Sequence, residues 1–208
     1  MTQVGSWPRS EKLLGALADR QQGRITRREF EALADGEVRR AVALQLEAGV
    51  DIVVDGEQRR DNFYSFLTEK LDGTRLMTLA ELEDRPSFRQ TLVKLDVPAE
   101  AIKNATCVGK LARREPLAVR ELEFVRTLTD RPVKVPLPGP YLLSRSMWVK
   151  SLSEKAYGSQ EEMTDDVVGI LRDELKELKA AGCQFVQFDE PVLSDVVFAA
   201  KGDATKFF

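Results

Sequence analysis

Three short stretches of this chain carry side chains that chemistry could use. Asp189-Glu190 directly follows the apolar run Phe185-Val186-Gln187-Phe188. A carboxylate at the end of a buried strand can hold a ligand ammonium or steer a proton; the plainer reading is an N-cap for the next helix or a solvated turn. Asp55-Gly56-Glu57-Gln58-Arg59-Arg60-Asp61 puts a dense set of charges straight after a second apolar run, Ile52-Val53-Val54. There Glu57 suits a cation and Arg60 an anion or a neighbouring carboxylate, against the plainer reading of a salt-bridged loop. In Gly5-Ser6-Trp7-Pro8-Arg9 the glycine lets a ligand approach the backbone, and the serine offers a hydroxyl and an amide to a carboxylate. The alternative is an ordinary N-terminal turn. Pro138-Gly139-Pro140-Tyr141 reads as a rigid turn, and Trp148 just beyond it suits either stacking on a flat heterocycle or plain packing.

Absent residue types narrow the chemistry further. The sequence has no histidine, which removes Ser-His-Asp and Cys-His catalysis and the commonest catalytic zinc ligand. The two cysteines, Cys107 and Cys183, sit in apolar surroundings and read as buried thiols in a reducing compartment. Among the 208 residues, 31 are basic and 34 acidic, for a net charge of −3. With no basic stripe, a nucleic-acid partner is not expected. No apolar run approaches the roughly 18 residues of a membrane span. Residues 1–8 lack the charged and apolar regions of a secretory signal, so a cytoplasmic location is expected.

Two αβ units must position these groups. In Glu37–Glu57, Val38, Ala41, Val42 and Gln45 step at helical spacing, Ala48-Gly49 ends the helix, and Ile52–Val54 forms a strand. Thr26 with Glu29 makes a capping box for that helix. In Thr164–Pro191, Val168, Leu171, Leu175 and Leu178 form an apolar stripe, Thr164 is the expected N-cap, and Met163 with Val168 the staple. Further strands are expected near Thr2–Gly5, Ala105–Gly109 and Pro132–Leu137, with a helix over Leu117–Leu128. Residues 62–97 read as an excursion from the repeat.

Strands alternating with helices imply an α/β fold with a parallel sheet. No glycine-rich phosphate loop follows any strand. Polar residues instead recur at strand ends, as Ser6, Glu57 and Asp189 with Glu190, and this favours a (β/α)8 TIM-type barrel. About five βα units are present where a closed barrel needs about 250 residues. Residues 1–208 therefore read as a single, incomplete barrel domain.

The stretches converge on one family. Gly5-Ser6-Trp7-Pro8-Arg9, Asp55-Gly56-Glu57 with Arg60-Asp61, and Gln187-Phe188-Asp189-Glu190-Pro191-Val192-Leu193 resemble, in order and spacing, motifs in the catalytic domain of cobalamin-independent methionine synthases. The resemblance implies methyl transfer from a methylated folate to the zinc-bound thiol of homocysteine, without cobalamin. It implies that Ser6 binds the amino acid carboxylate, that Glu57 and Asp189 hold the ammonium, and that Trp148 lies near the pterin. The family's zinc ligands are a His-x-Cys pair, a glutamate and a later cysteine, all beyond the Asp-Glu-Pro strand, so no metal ligand is assigned in this chain. Taken alone, the 208 residues are expected to be inactive. Two other readings stand beside this one: a zinc-dependent thiol alkyltransferase with another donor, such as an epoxide, and a non-catalytic half-barrel that binds a complementary C-terminal half or itself.

Overall fold

The capping box at Thr26 and Glu29 starts a 21-residue helix in the computed structural model, which describes residues 1–62, 64–78, 81, 103–191 and 193. Among these residues the elements run α1 (Glu11–Gln21), α2 (Arg27–Glu47), a 3-10 turn (Ser65–Glu69), β1 (Leu71–Thr78), β2 (Lys103–Arg113), α3 (Val119–Arg126), β3 (Lys134–Pro138), α4 (Pro140–Met147), α5 (Lys150–Ser153), α6 (Gln160–Ala180) and β4 (Phe185–Asp189). They fall into two compact units, one of residues 1–62, 118–137 and 175–187, the other of the remaining described residues.

In the first unit, Ser10 caps α1 by accepting the Leu13 amide. Leu13, Ala16 and Leu17 of α1 then bury against Phe30 and Ala34 of α2. Each fully buried large apolar side chain of this kind contributes about 1.5–3 kcal/mol. Farther along α2, Val38, Ala41, Val42 and Gln45 are buried, as their spacing predicts. Gln45 is the polar member of that stripe, and the reason is structural. Its amide donates to the Ala41 and Val54 carbonyls and accepts from the Val54 N–H, clasping the helix to the strand segment after it. Gly49, at φ +73°, makes the left-handed exit from the helix.

The strand segments of this unit lie side by side in chain order. Thr2 bridges Ile52 and Val53 bridges Val133, both in parallel, and β3 pairs with β4. This matches the expected strand over Pro132–Leu137. The expected first strand is reduced to the single bridge at Thr2.

In the second unit, β1 and β2 form an antiparallel ribbon with an irregularity between Asp72 and Thr74. The strand expected at Ala105–Gly109 therefore exists, but as a ribbon partner of β1 rather than as a parallel strand between helices. The described part of the expected excursion at 62–97 forms the 3-10 turn and β1; residues 63, 79–80 and 82–97 lie outside the described residues. Pro138-Gly139-Pro140 is not a free-standing turn. Gly139 is the N-cap of α4 and Pro140 its first residue, where a missing N–H costs nothing.

The start of α6 also differs from expectation. The helix begins at Gln160, because Ser159 accepts the Glu162 amide one turn before Thr164. Thr164 is inside the helix, with its hydroxyl on the Gln160 carbonyl. The buried stripe is Met163, Val167, Leu171, Glu174 and Leu178, while Val168 is exposed, so no Met163–Val168 staple forms. No helix among the described residues is long and apolar enough to cross a membrane.

Candidate functional site

Glu57 is the only residue other than glycine with a positive φ among the described residues, at +55°. It is also 2% exposed. A buried carboxylate on left-handed backbone costs free energy twice, once for desolvation and once for strain. The surrounding sequence maintains both. Asp55 accepts the Glu57 amide at 2.9 Å. Gly56 turns the chain at φ +68°, and a Cβ there would meet the Trp7 and Ala41 side chains at 3.2 and 3.3 Å. The Trp7 amide donates to the Gly56 carbonyl, and the Gln58 side chain donates to the Trp7 and Gly56 carbonyls.

These contacts lock residues 5–9 onto residues 55–60 and bring two of the expected site residues together. The Ser6 hydroxyl donates to Glu57 Oε2 at 2.7 Å. Ser6 itself is exposed, so the pair joins an accessible loop to a buried acid. With the hydroxyl turned toward Glu57, the group Ser6 offers to an incoming carboxylate is its amide.

Two arginines brace this pair, and sequence reasoning assigned a role to only one of them. Arg9 donates to the Glu57 and Arg60 carbonyls. Burial pulls its guanidinium below the ordinary value, opposed by the charges of Glu57, Asp61 and Asp55. Arg60 is 2% exposed. It donates to the Pro136 carbonyl at 2.9 Å and lies 3.8 Å from the buried Glu121 carboxylate. The neighbouring carboxylate foreseen for Arg60 is thus Glu121, and Arg60 links the loop to β3 rather than facing a ligand. Lys134 lies outside the three motifs yet joins their elements. Its ammonium is buried and donates to the Gln3 carbonyl and to Gln187 Oε1.

The other expected site residues belong to the second unit. Asp189 ends β4, half-buried, and its carbonyl accepts the Gly139 amide at 2.9 Å. Glu190 has a structural task. Its two carboxylate oxygens accept the Tyr141 and Leu142 amides at 2.7 and 2.8 Å, capping the start of α4. A Cβ on Gly139 would overlap that carboxylate. The capping alternative for Asp189-Glu190 is an N-cap for the next helix; Glu190 instead caps α4, the helix that precedes it in the chain. Trp148 is half-buried at the C-terminal end of α4.

The described residues do not form a zinc site. None of their histidine, cysteine, aspartate and glutamate side chains gather in a group of three able to hold a metal ion. Cys107 is buried, with its thiol on the Gly109 carbonyl. Cys183 is half-buried rather than core, with its thiol on the Phe185 carbonyl. Burial pushes both thiols up, away from the thiolate a metal needs.

Comparison with known proteins gives a consistent picture. Residues 1–208 match the family model described as the cobalamin-independent synthase, catalytic domain. A 5-methyltetrahydropteroyltriglutamate–homocysteine methyltransferase from Thermotoga maritima is 26% identical over 208 residues, covering 100% of this chain and 26% of the relative. The enzyme of the same name from Streptomyces griseus is 31% identical over 196 residues, covering 94% of this chain and 23% of the relative. The chain thus spans about a quarter of the length of these curated relatives. A B12-independent methionine synthase from Shewanella sp. W3-18-1, solved with selenomethionine, superposes with a TM-score of 0.62 at 27% identity, over 83% of this chain and 47% of that one. A putative vitamin-B12 independent methionine synthase from Listeria monocytogenes gives a TM-score of 0.67 at 19% identity, over 97% and 55%, and supports the fold alone.

Proposed function

Because the chain belongs to the cobalamin-independent synthase family, matching its catalytic domain over residues 1–208, we propose that it binds homocysteine for methyl transfer from a methylated folate. In that reaction the sulfur–carbon bond forms as the N5–carbon bond of the folate breaks, and the thiol proton ends on N5. The observation that carries the reading is the Ser6–Glu57 pair, a buried carboxylate held 2.7 Å from a loop hydroxyl. An amino acid's ammonium supplies the positive charge that offsets the burial of Glu57. Its carboxylate meets the Ser6 amide.

In the same reading Asp189 is a second acid for the ammonium, and Trp148 lies on the pterin side; both roles rest on the resemblance alone. The neighbour order of Thr2, Ile52–Val53, β3 and β4 follows chain order without reversal. That order supports a barrel over a doubly wound sheet, whose order reverses at a switch point. We take the chain as one partial barrel domain that works in the cytoplasm. Zinc would hold the homocysteine sulfur as thiolate, but the described residues supply no site for it.

The reading is tested by titration calorimetry with L-homocysteine and with 4-mercaptobutanoate, which lacks the ammonium. Homocysteine should bind about tenfold or more tightly than the analogue, the worth of a charged hydrogen bond. Equal affinities would remove the role of Glu57.

A second reading, association with a partner chain or a second copy, draws on Phe185 and Phe188, which are 43% and 40% exposed on β4. It expects a concentration-dependent shift to larger species in size-exclusion chromatography. A monomer at all concentrations argues against it for self-association.

A further inference from the structure

We propose that Lys134 is a positioning residue for the carboxylate-binding loop, a role that rests on the amino-acid reading of the Ser6–Glu57 pair. Lys134 lies in β3 and is 7% exposed. Its ammonium reaches across the chain to the backbone carbonyl of Gln3 and, at 2.7 Å, to the side-chain oxygen of Gln187 in β4. The Gln3 side chain in turn donates to the Gly5 carbonyl at 2.9 Å. One buried cation therefore fixes the backbone immediately before Ser6, and the next link is the Ser6 hydroxyl on Glu57.

The outlay in free energy identifies what the lysine does. Burying an ammonium costs several kcal/mol before its hydrogen bonds are counted, and an apolar side chain of the same length would pack in β3 without that cost. A charged group retained there holds the two oxygens it bonds at defined positions. Residues 3–5 belong to no helix or strand and lie between two anchored points, Met1 and Thr2 on Asp51 and Ile52, and Ser6 and Trp7 on Glu57 and Gly56; Lys134 ties the span between them to β3. Without Lys134, the backbone leading into Ser6 loses its tie to β3 and the Ser6 amide can turn about the Ser6–Glu57 and Trp7–Gly56 bonds away from the place where a carboxylate is received, while Glu57 stays anchored by Asp55, Gly56 and Arg9.

The consequence is selective. Lys134→Met should weaken recognition of a ligand's carboxylate and leave recognition of its ammonium intact. The probes are L-homocysteine and 3-mercaptopropylamine, the same molecule without the carboxylate, titrated into the full 208-residue chain. The wild type is expected to prefer homocysteine by about tenfold or more. In Lys134→Met the preference should fall to within about threefold, with the affinity for 3-mercaptopropylamine unchanged. Gln187→Met, which removes one acceptor and leaves the lysine, should shift the ratio the same way by a smaller factor; it keeps the test valid if Lys134→Met does not fold. A purely structural lysine would weaken both ligands equally and preserve the ratio, and that result in either folded variant overturns the proposal. If the wild type binds neither ligand, the amino-acid reading itself fails and takes this proposal with it. If it binds both equally, the amino-acid reading survives through Glu57, and the carboxylate role of the Ser6 loop, with the task given to Lys134, is overturned.

Discussion

Replacing Glu174 by alanine is expected to lower stability by about 3–5 kcal/mol, the usual effect of removing one partner from a buried ion pair. Glu174 is 0% exposed on the buried stripe of α6. Its Oε2 accepts from Arg113 of β2 and from the Leu117 amide, each at 2.7 Å. The alanine would leave the guanidinium without this carboxylate and the Leu117 N–H without its acceptor, in a place water reaches poorly. The urea midpoint should fall with the slope unchanged. The double variant Arg113→Met/Glu174→Leu should recover most of the loss, since well-packed apolar pairs often replace buried ion pairs at little cost. A single-variant loss below about 1 kcal/mol would contradict the pairing.

Glu57→Gly should separate stability from binding. Glycine adopts a positive φ without strain, so this variant is expected to be more stable by about 1 kcal/mol, even though glycine adds freedom to the unfolded chain. It should also lose homocysteine affinity by about 10- to 100-fold, the value of a charge-assisted hydrogen bond. Glu57→Gln is the control. It keeps the left-handed backbone and so gains nothing from relief of strain, but loses the charge and the affinity. Thermal melts and calorimetry on both variants read the two effects independently. If Glu57→Gly is less stable than the wild type, the backbone at residue 57 is not strained. If Glu57→Gln binds homocysteine normally, the carboxylate does not hold the ammonium.

What could be read from the sequence was what depends on near neighbours. The Thr26–Glu29 box spans one helical turn and is present as expected, with the Thr26 amide on the Glu29 carboxylate at 2.7 Å. The exit at Gly49 and the burial of Val38, Ala41 and Val42 follow from local spacing. Thr164 misled because it precedes an apolar run, and Ser159, with Glu162 three residues on, offers the same kind of signal one turn earlier. The site followed the same division. Ser6 and Glu57 stood out because each lies in a dense local motif. Lys134 sits alone among apolar residues, and its partner Gln3 is 131 positions away. The task of Glu190 depends on amides 48 and 49 positions earlier. The ribbon of β1 and β2 was hidden for a related reason: short apolar strands look alike whether their partner runs parallel or antiparallel.

The measurement that bears most directly on the amino-acid site is a titration of the isotope-labelled chain with L-homocysteine, followed by amide chemical shifts. The largest changes should fall on Ser6, Gly56 and Glu57, saturating together, and should disappear in Glu57→Gln. Shifts confined to β1 and β2, or no shifts at homocysteine concentrations that saturate the calorimetric signal, would place the amino acid elsewhere and contradict a site at Ser6 and Glu57.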